Sequence, residues 1–120
     1  MKYGWHCNEF RYQMKADLYI GFTTCETEED AISLIDKLLE KSLIACGQID
    51  GPIHSKYSWG GEIKSEKEWR VTLKFKISAK SEVLNTILIH HKYEIPEWVC
   101  HPAESTEKYA AWVNQTTQEG

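Results

Sequence analysis

One segment near the end of the chain concentrates side chains that bind metals or move protons. Residues 90–97 contain two imidazoles, one phenol, two carboxylates and a proline. Imidazole and carboxylate groups are common metal ligands and common general acids or bases. The segment joins a helical pattern to an extended one, so it either forms a site or only ends a helix.

The two histidines of this segment cannot act as a simple pair. His90 and His91 are adjacent, and adjacent residues of a regular helix diverge by about 100°. One regular helix therefore cannot present both to a single ion. His91 and Glu94 have i, i+3 spacing and could share an ion if the last turn persisted. Alternatively, one of the histidines caps the helix C-terminus, where the dipole favours a cation.

Other polar and aromatic residues offer further candidates. Glu94 and Glu97 flank a proline and could do acid–base work or hold a cation, or they could be solvated loop charges. Tyr57 and Trp59 are two residues apart, so they share one face of a strand. There they could stack on a ligand or cover a neighbouring subunit. Lys76 falls on the polar face of its predicted strand, where we expect a solvated lysine.

Motifs of known catalytic machinery are missing from the sequence. It contains no Ser-His-Asp pattern, no phosphate-binding loop, no G-x-G-x-x-G and no H-E-x-x-H. We therefore predict that the protein is not an enzyme and has no organic cofactor. The least favoured alternative is a metal-dependent hydrolase built on His91, Glu94 and Glu97, because it needs an open metal position and a base.

Composition limits the class of protein and its partners. The 120 residues, with 42% hydrophobic side chains and five tryptophans, predict one globular domain. The net charge is −4 and the lysines are dispersed, which argues against nucleic-acid binding. No apolar run is long enough to span a bilayer and none resembles a signal peptide, so we expect a cytoplasmic protein without membrane contact. Cysteines 7, 25, 46 and 100 form no C-x-x-C, which predicts free thiols.

Hydrophobic periodicity predicts four strands and three helices. The predicted strands cover residues 18–24, 43–49 continuing as 53–59, 69–77, and 98–101 as a last core strand with Pro102 near its end. We expect Gly51-Pro52 to bend or bulge the second strand, Gly60-Gly61 to form a hairpin turn, and residues 64–68 to be a bulge or a mobile stretch.

The helices are predicted from caps and from apolar residues at helical spacing. The first begins at the capping box of residues 27–30, the second at Ser78 and ends at His90 or His91, and the third at Ser105 or Thr106. Their predicted apolar faces are Ala31, Leu34, Ile35, Leu38 and Leu39 in the first, Val83, Leu84, Ile87 and Leu88 in the second, and Tyr109, Trp112 and Val113 in the third.

The order β-α-β-β-α-β-α predicts an α+β fold, a ferredoxin-like (split β-α-β) sandwich with an extra C-terminal helix. The helices of the two halves then lie on one face of the sheet. If the other face is apolar it needs a partner, which predicts self-association. The expected domain covers residues 17–116, with a poorly ordered extension at 1–16 and a polar tail at 117–120.

Four motifs, in order, resemble the CutA divalent-ion tolerance proteins. They are residues 44–46 (IAC), 57–63 (YSWGGEI), 73–76 (LKFK) and 91–97 (HKYEIPE), and residues 109–112 (YAAW) also fit. The resemblance runs from about Leu18 to about Thr116. It implies a tight homotrimer, similar in architecture to the nitrogen-regulatory PII proteins, with a role in the tolerance of copper and other divalent cations.

The resemblance also implies a set of site residues. Family clefts lie between subunits, and the matching positions are Tyr57, Trp59, Lys76, His91, Tyr93, Glu94 and Glu97. Some members bind copper through histidines and a cysteine. The corresponding predicted metal ligands in this chain are His90, His91, Glu94 and Cys25.

Two departures from the family pattern concern this predicted metal site. Lys92 stands where the family usually has proline, and its charge would repel a metal unless the side chain turns away. Thr23 aligns best with the cysteine that ligates copper in some members. Cys25 lies two residues further on, at the predicted turn from strand to helix.

The sequence thus predicts a trimeric protein of divalent-cation tolerance that binds copper or another divalent cation at an inter-subunit cleft without catalysis. The alternative is a PII-like regulatory or scaffolding trimer. It would bind a small anion or a protein partner in the cleft through Lys76, Tyr57 and Trp59.

Overall fold

The computed structural model describes residues 14–116, with side chains from Asp17 onward. Residues 1–13 of the predicted extension and the predicted tail 117–120 lie outside the described residues. The first strand begins at Met14, three residues before the predicted start of the domain.

The predicted order of strands and helices is confirmed. The elements are β1 (Met14–Cys25), α1 (Glu28–Glu40), β2 (Cys46–Trp59), β3 (Glu62–Lys76), a 3-10 turn (Ile77–Ala79), α2 (Lys80–His90), β4 (Val99–Thr106) and α3 (Glu107–Thr116). They form a small α+β fold with one four-stranded antiparallel sheet and three helices. Within the described residues, no helix is both long enough and apolar enough to cross a membrane.

The sheet has the strand order β2-β3-β1-β4. Strand β1 pairs antiparallel with β3 from Leu18 opposite Lys76 to Cys25 opposite Trp69. It pairs on its other side with β4, which is an edge strand and not the predicted core strand. Pro102 lies inside β4 and not near its end, a position that an edge strand tolerates because proline donates no ladder hydrogen bond.

Helix α1 begins as the capping box predicts. The backbone N–H of Asp30 donates to Thr27 Oγ1 at 3.0 Å, and three acidic residues occupy the first turn. The buried face consists of Ala31, Leu34, Ile35 and Leu38. Leu39, predicted on that face, is 44% exposed, because the stripe that touches the sheet is narrower than the apolar pattern.

The other two helices differ from prediction in detail. Helix α2 follows the 3-10 turn without a side-chain cap, so the predicted Ser78 cap is wrong. Its buried residues include Thr86, whereas the predicted Leu88 is exposed. At α3, the predicted cap is confirmed, since Tyr109 N–H donates to Thr106 Oγ1 at 3.3 Å. The predicted Trp112 is exposed, and Ala110 takes its place in the core.

Both faces of the sheet carry a core. Helices α1 and α2 cover the face that bears Tyr19, Phe75 and Trp98, whose rings stack in sequence. Helix α3 covers Leu18 on the opposite face. Lys74 shares that opposite face, with its Nζ 5.9 Å from the Tyr109 ring centroid. The face predicted to need a partner if apolar is therefore partly covered by α3 and partly polar.

Strands β2 and β3 extend beyond the rest of the sheet as a two-stranded arm. Their pairing continues to Trp59 opposite Glu62, and a register shift between Asp50 and Ile53 confirms the predicted irregularity at Gly51-Pro52. Gly60 and Gly61 have φ angles of 60° and 80°, as a tight hairpin turn requires. We call residues 53–68 the hairpin arm.

The arm corrects one prediction. Residues 64–68 are a regular part of β3, paired with residues 53–57, and not a bulge or a mobile stretch. Because their side chains are mostly charged, these residues show no hydrophobic period that would indicate a strand. Their backbone groups are nevertheless hydrogen-bonded to β2. The arm therefore carries β3 past the end of β1 pairing by seven residues, from Trp69 to Glu62, or about 24 Å at the usual rise of a strand.

Candidate functional site

Two clefts flank the segment that follows α2. The smaller one, of about 210 Å³, we call the histidine cleft; its lining includes Cys25, Glu26, Asp30, His90, His91 and Lys92. The larger one, of about 800 Å³, we call the aromatic cleft; its lining includes Tyr57, Trp59, Glu66, Glu68, Glu94 and Glu97. Glu26 and Tyr93 line both clefts and form the wall between them.

Both ring nitrogens of His91 are engaged. Helix α2 ends at His90, and His91 is its extended C-cap, with φ −75° and ψ 141°. The Nε2–H donates to the backbone carbonyl of Thr24 at 2.7 Å, and Nδ1 accepts from the backbone N–H of Tyr93 at 3.1 Å. Since a carbonyl can only accept and an amide N–H can only donate, the ring is held as the neutral Nε2–H tautomer. His91 can bind a metal only by giving up one of these bonds.

Tyr93 ties the same segment to β3. Its hydroxyl donates to Glu68 Oε2 at 2.7 Å, and its ring centroid lies 4.9 Å from that of His91. Burial, followed by the bond to the Glu68 carboxylate, raises the pKa of Tyr93 above its usual range. The phenol therefore stays protonated and keeps donating at any physiological pH.

Lys92 turns away from the histidines toward helix α1. Its Nζ lies 2.8 Å from Asp30 Oδ1, in the first turn of that helix. The hydrogen bond from Lys92 holds the pKa of Asp30 below its usual value and raises the pKa of Lys92 itself. The ion pair balances the charge of Lys92, but it also uses the Asp30 carboxylate that lines the histidine cleft.

Cys25 and Thr23 both point into the protein interior. Cys25 is 4% exposed, and burial, assisted by the charges of Asp30 and Glu68, raises the pKa of its thiol to about 11. The thiol is therefore protonated near neutral pH, whereas a metal ligand must be a thiolate. Thr23 is fully buried, and its hydroxyl has no hydrogen-bond partner within the described part of the chain.

The predicted metal ligands are distributed over both clefts. His90, His91 and Cys25 line the histidine cleft, while Glu94 lines the aromatic cleft. Between residues 14 and 116, no three His, Cys, Asp or Glu side chains form a group that could hold a metal ion. His90 is exposed, and neither of its ring nitrogens bonds to another described residue.

The predicted cleft residues come together with two exceptions, His91, which lines only the histidine cleft, and Lys76. Tyr57, Trp59, Tyr93 and Glu97 all line the aromatic cleft. Lys76 does not, because it lies twelve residues beyond Lys64 on β3, roughly 40 Å at about 3.4 Å per residue. It is 7% exposed and not solvated as expected, because it pairs with Leu18 beneath the cover of α3.

Three functional contacts escaped the sequence analysis. Glu68 carried no visible signal, since it lies in the charged stretch that was not recognised as strand. Asp30 was recognised only as a capping residue. The carbonyl of Thr24 is a backbone group 67 positions away from His91, and no sequence pattern indicates it.

The family of the chain follows from comparison with known proteins. The family model described as CutA1 divalent ion tolerance protein matches residues 19–116. The chain belongs to this family. The matched range includes the two hydrogen bonds of the His91 ring, the Lys92–Asp30 ion pair and the Tyr93–Glu68 bond, so these contacts belong to the CutA1 domain.

Individual relatives agree with this CutA1 assignment. The divalent-cation tolerance protein CutA of Thermotoga maritima is 33% identical over 100 residues, which cover 82% of this chain and 98% of the relative. Mouse Protein CutA is 31% identical over 99 residues, covering 82% of this chain and 56% of the relative. The chain thus spans about half the length of its mammalian relative.

A solved structure confirms the CutA1 fold. The divalent ion tolerance protein CutA1 from Ehrlichia chaffeensis superposes with a TM-score of 0.83 at 31% identity, covering 87% of this chain and 98% of that one. The resemblance found in the sequence motifs is therefore confirmed at the level of family and fold.

The buried Tyr93–Glu68 bond gives a stability prediction. Tyr93→Phe removes the hydroxyl that donates to the buried carboxylate of Glu68, and we expect the free energy of unfolding to fall by about 1–3 kcal/mol. Tyr57→Phe is the matched control, since the Tyr57 hydroxyl lies beside another carboxylate, that of Glu66, but at an exposed position. Urea unfolding at one protein concentration measures both. Equal effects of the two substitutions would contradict the role of burial.

The Lys92–Asp30 pair gives a pH prediction. Because the folded-state pKa of Asp30 lies below its unfolded value, the pair stabilises the fold above the unfolded pKa, and this stability is lost as pH falls through the folded pKa. Lys92→Met should therefore lower the Tm near pH 7, and the deficit should be smaller at a pH below the ordinary Asp value of about 3.9. Lys108→Met, at an exposed lysine of α3, is the control. A deficit of the same size at both pH values would refute the pairing.

Proposed function

We propose that the chain acts in divalent-cation tolerance as a non-catalytic homotrimer of ferredoxin-like, PII-like architecture. In this proposal it binds copper or another divalent cation at a cleft between subunits. Membership of the CutA1 family supports the tolerance role, and the element order with its single antiparallel sheet supports the ferredoxin-like description.

The hairpin arm supports self-association. A two-stranded hairpin alone is only marginally stable in water, and its outer edges present unpaired backbone groups. The arm also exposes apolar side chains, with Ile63 83% and Trp59 46% exposed. A second copy of the chain is the partner we propose, because β4 offers a further edge strand with an exposed Val99.

The exposed imidazole of His90 is the observation that carries the metal-binding part. Of the two adjacent histidines, His91 uses both nitrogens inside the fold, while those of His90 bond to no other described residue. Neutral imidazole is the commonest metal ligand of proteins. Because the described residues of one chain do not gather three ligands, we propose that a second copy supplies the remaining donors beside His90.

The small-anion version of the PII-like alternative has less support. The lining of the aromatic cleft carries five carboxylates against two lysines, Lys56 and Lys64. Lys76, which was to hold the anion, lies at the other end of β3. A cleft of this charge repels anions.

The oligomeric state is the first test. Sedimentation should give a species of three times the chain mass of 13.9 kDa. Ile63→Lys in the hairpin arm should shift it toward monomer, because a charge replaces an apolar contact in the proposed interface. Ile89→Lys alters an equally exposed isoleucine on α2 and should leave the trimer intact. If the wild-type chain is a monomer, the trimer proposal is wrong. If the Ile63→Lys variant remains a trimer, the hairpin arm is not part of the trimer interface.

Copper titration is the second test. Electron paramagnetic resonance and calorimetry should detect Cu²⁺ binding, and His90→Ala should weaken it by roughly tenfold or more. His101→Ala, at an exposed histidine on β4, is the control and should bind as the wild type does. If His91→Ala weakens binding and His90→Ala does not, the ligand assignment is wrong. If the wild-type trimer binds no divalent cation, the metal-binding proposal fails.

A further inference from the structure

The aromatic cleft contains a buried carboxylate without a cation. Glu68 is 8% exposed, lines the cleft and accepts one hydrogen bond, from the neutral hydroxyl of Tyr93. Among the described residues, no lysine, arginine or histidine lies within ion-pairing distance of it. Buried carboxylates are rare unless they are paired, because one neutral donor does not offset the loss of hydration. The arrangement therefore favours a positive group from outside the described residues.

The carboxylate of Glu68 is continued by others along the cleft. Glu66 lies two residues before it on the same face of β3, about 7 Å away along the strand, and its interaction with the Tyr57 hydroxyl raises the pKa of that tyrosine. Glu94 and Glu97 also line the cleft. Of the two lysines in the lining, Lys64 is already 3.3 Å from Glu62. The negative charge of the cleft is thus spread along its length and is not balanced from within.

Aromatic and apolar side chains make up the rest of the lining. Tyr57, Trp59 and Tyr93 lie beside the carboxylates, together with the exposed Ile95. Aromatic faces attract cations within about 6 Å, and they also cover aliphatic chains. A small hard cation gains nothing from such surfaces and needs several ligands converging on one point, which the described residues do not provide. A cation with an aliphatic body matches both the charge and the apolar surface.

We infer that the aromatic cleft binds an aliphatic diamine or polyamine. One ammonium group bonds to Glu68, a second reaches the neighbouring carboxylate of Glu66, and the alkyl chain between them lies against Tyr57 and Trp59. The hydroxyl of Tyr93 holds the Glu68 carboxylate in place. All of these residues belong to one chain and none is the proposed metal ligand His90, but they lie on the hairpin arm, so the inference rests on the proposed trimer leaving the aromatic cleft open.

The test uses 1,4-diaminobutane as the probe and the full chain as the protein. At fixed ionic strength, the diamine should raise the Tm in a saturable way, because a ligand of the native state stabilises it by mass action. Calorimetry should give the affinity directly. 1,4-Butanediol, which has the same chain without charge, should have no effect. Mg²⁺, which has the same charge without an alkyl chain, should give a smaller shift than the diamine.

Variants locate the binding site. Glu66→Gln should weaken diamine binding by about tenfold, the loss expected for one hydrogen bond to a charged group. Glu68→Gln should do the same, and the exposed Glu66 keeps the test valid if that buried substitution prevents folding. Glu104→Gln, at an exposed position on β4, is the control. The inference is overturned if butanediol or Mg²⁺ matches the diamine, if the diamine does not bind, or if Glu66→Gln binds as tightly as Glu104→Gln.

Discussion

The imidazole of His91 fixes the position of everything that follows helix α2. Strand β1 pairs with β4 only as far as Phe22, and Thr24 lies beyond the end of that ladder. The His91 ring supplies a hydrogen-bond donor to the Thr24 carbonyl and an acceptor to the N–H of Tyr93. One side chain thus joins the sheet to the turn after α2. The next two residues add contacts from the same turn, Lys92 to Asp30 of α1 and Tyr93 to Glu68 of β3.

This structural use of His91 limits what the same residue can do chemically. A ring whose two nitrogens are engaged has no lone pair to give a metal unless a buried amide loses its acceptor, which costs about 1–3 kcal/mol. The neighbouring candidates are restricted in similar ways. Asp30 is paired with Lys92, and the Cys25 thiol is protonated because it is buried. His90 differs because it ends the helix on the exposed side, which is why adjacent histidines in one motif have separate roles.

Features that depend on residues close in sequence could be predicted, whereas features that depend on contacts between separate elements could not. Local signals were read correctly: Thr27 caps α1, Gly60-Gly61 turns the hairpin, and Gly51-Pro52 interrupts the β2 register. Residues 64–68 were missed because alternating charges carry no hydrophobic period, and only pairing with β2 makes them a strand. The burial of Cys25 and the direction of Lys92 could not be predicted, because each depends on a partner from another element. The candidate site residues were named mainly from the family motifs, and their distribution over two clefts became visible only in three dimensions.

Tyr93 explains why the two clefts differ although they share a wall. Its backbone N–H is used on the side of the histidine cleft and its hydroxyl on the side of the aromatic cleft. On the first side, His91 bonds within the fold and Asp30 is paired with Lys92, so the exposed His90 is the candidate ligand that remains. On the second side, the phenol orients the Glu68 carboxylate but cannot neutralise it, because a phenol in this setting does not ionise and carries no positive charge. The bonds of residues 91–93 therefore occupy His91 and Asp30 in the histidine cleft, and they leave a net negative charge in the aromatic cleft. In this chain, residues 91–93 of the family motif form the wall between the two clefts. The groups that can contact a ligand are the residues around that wall.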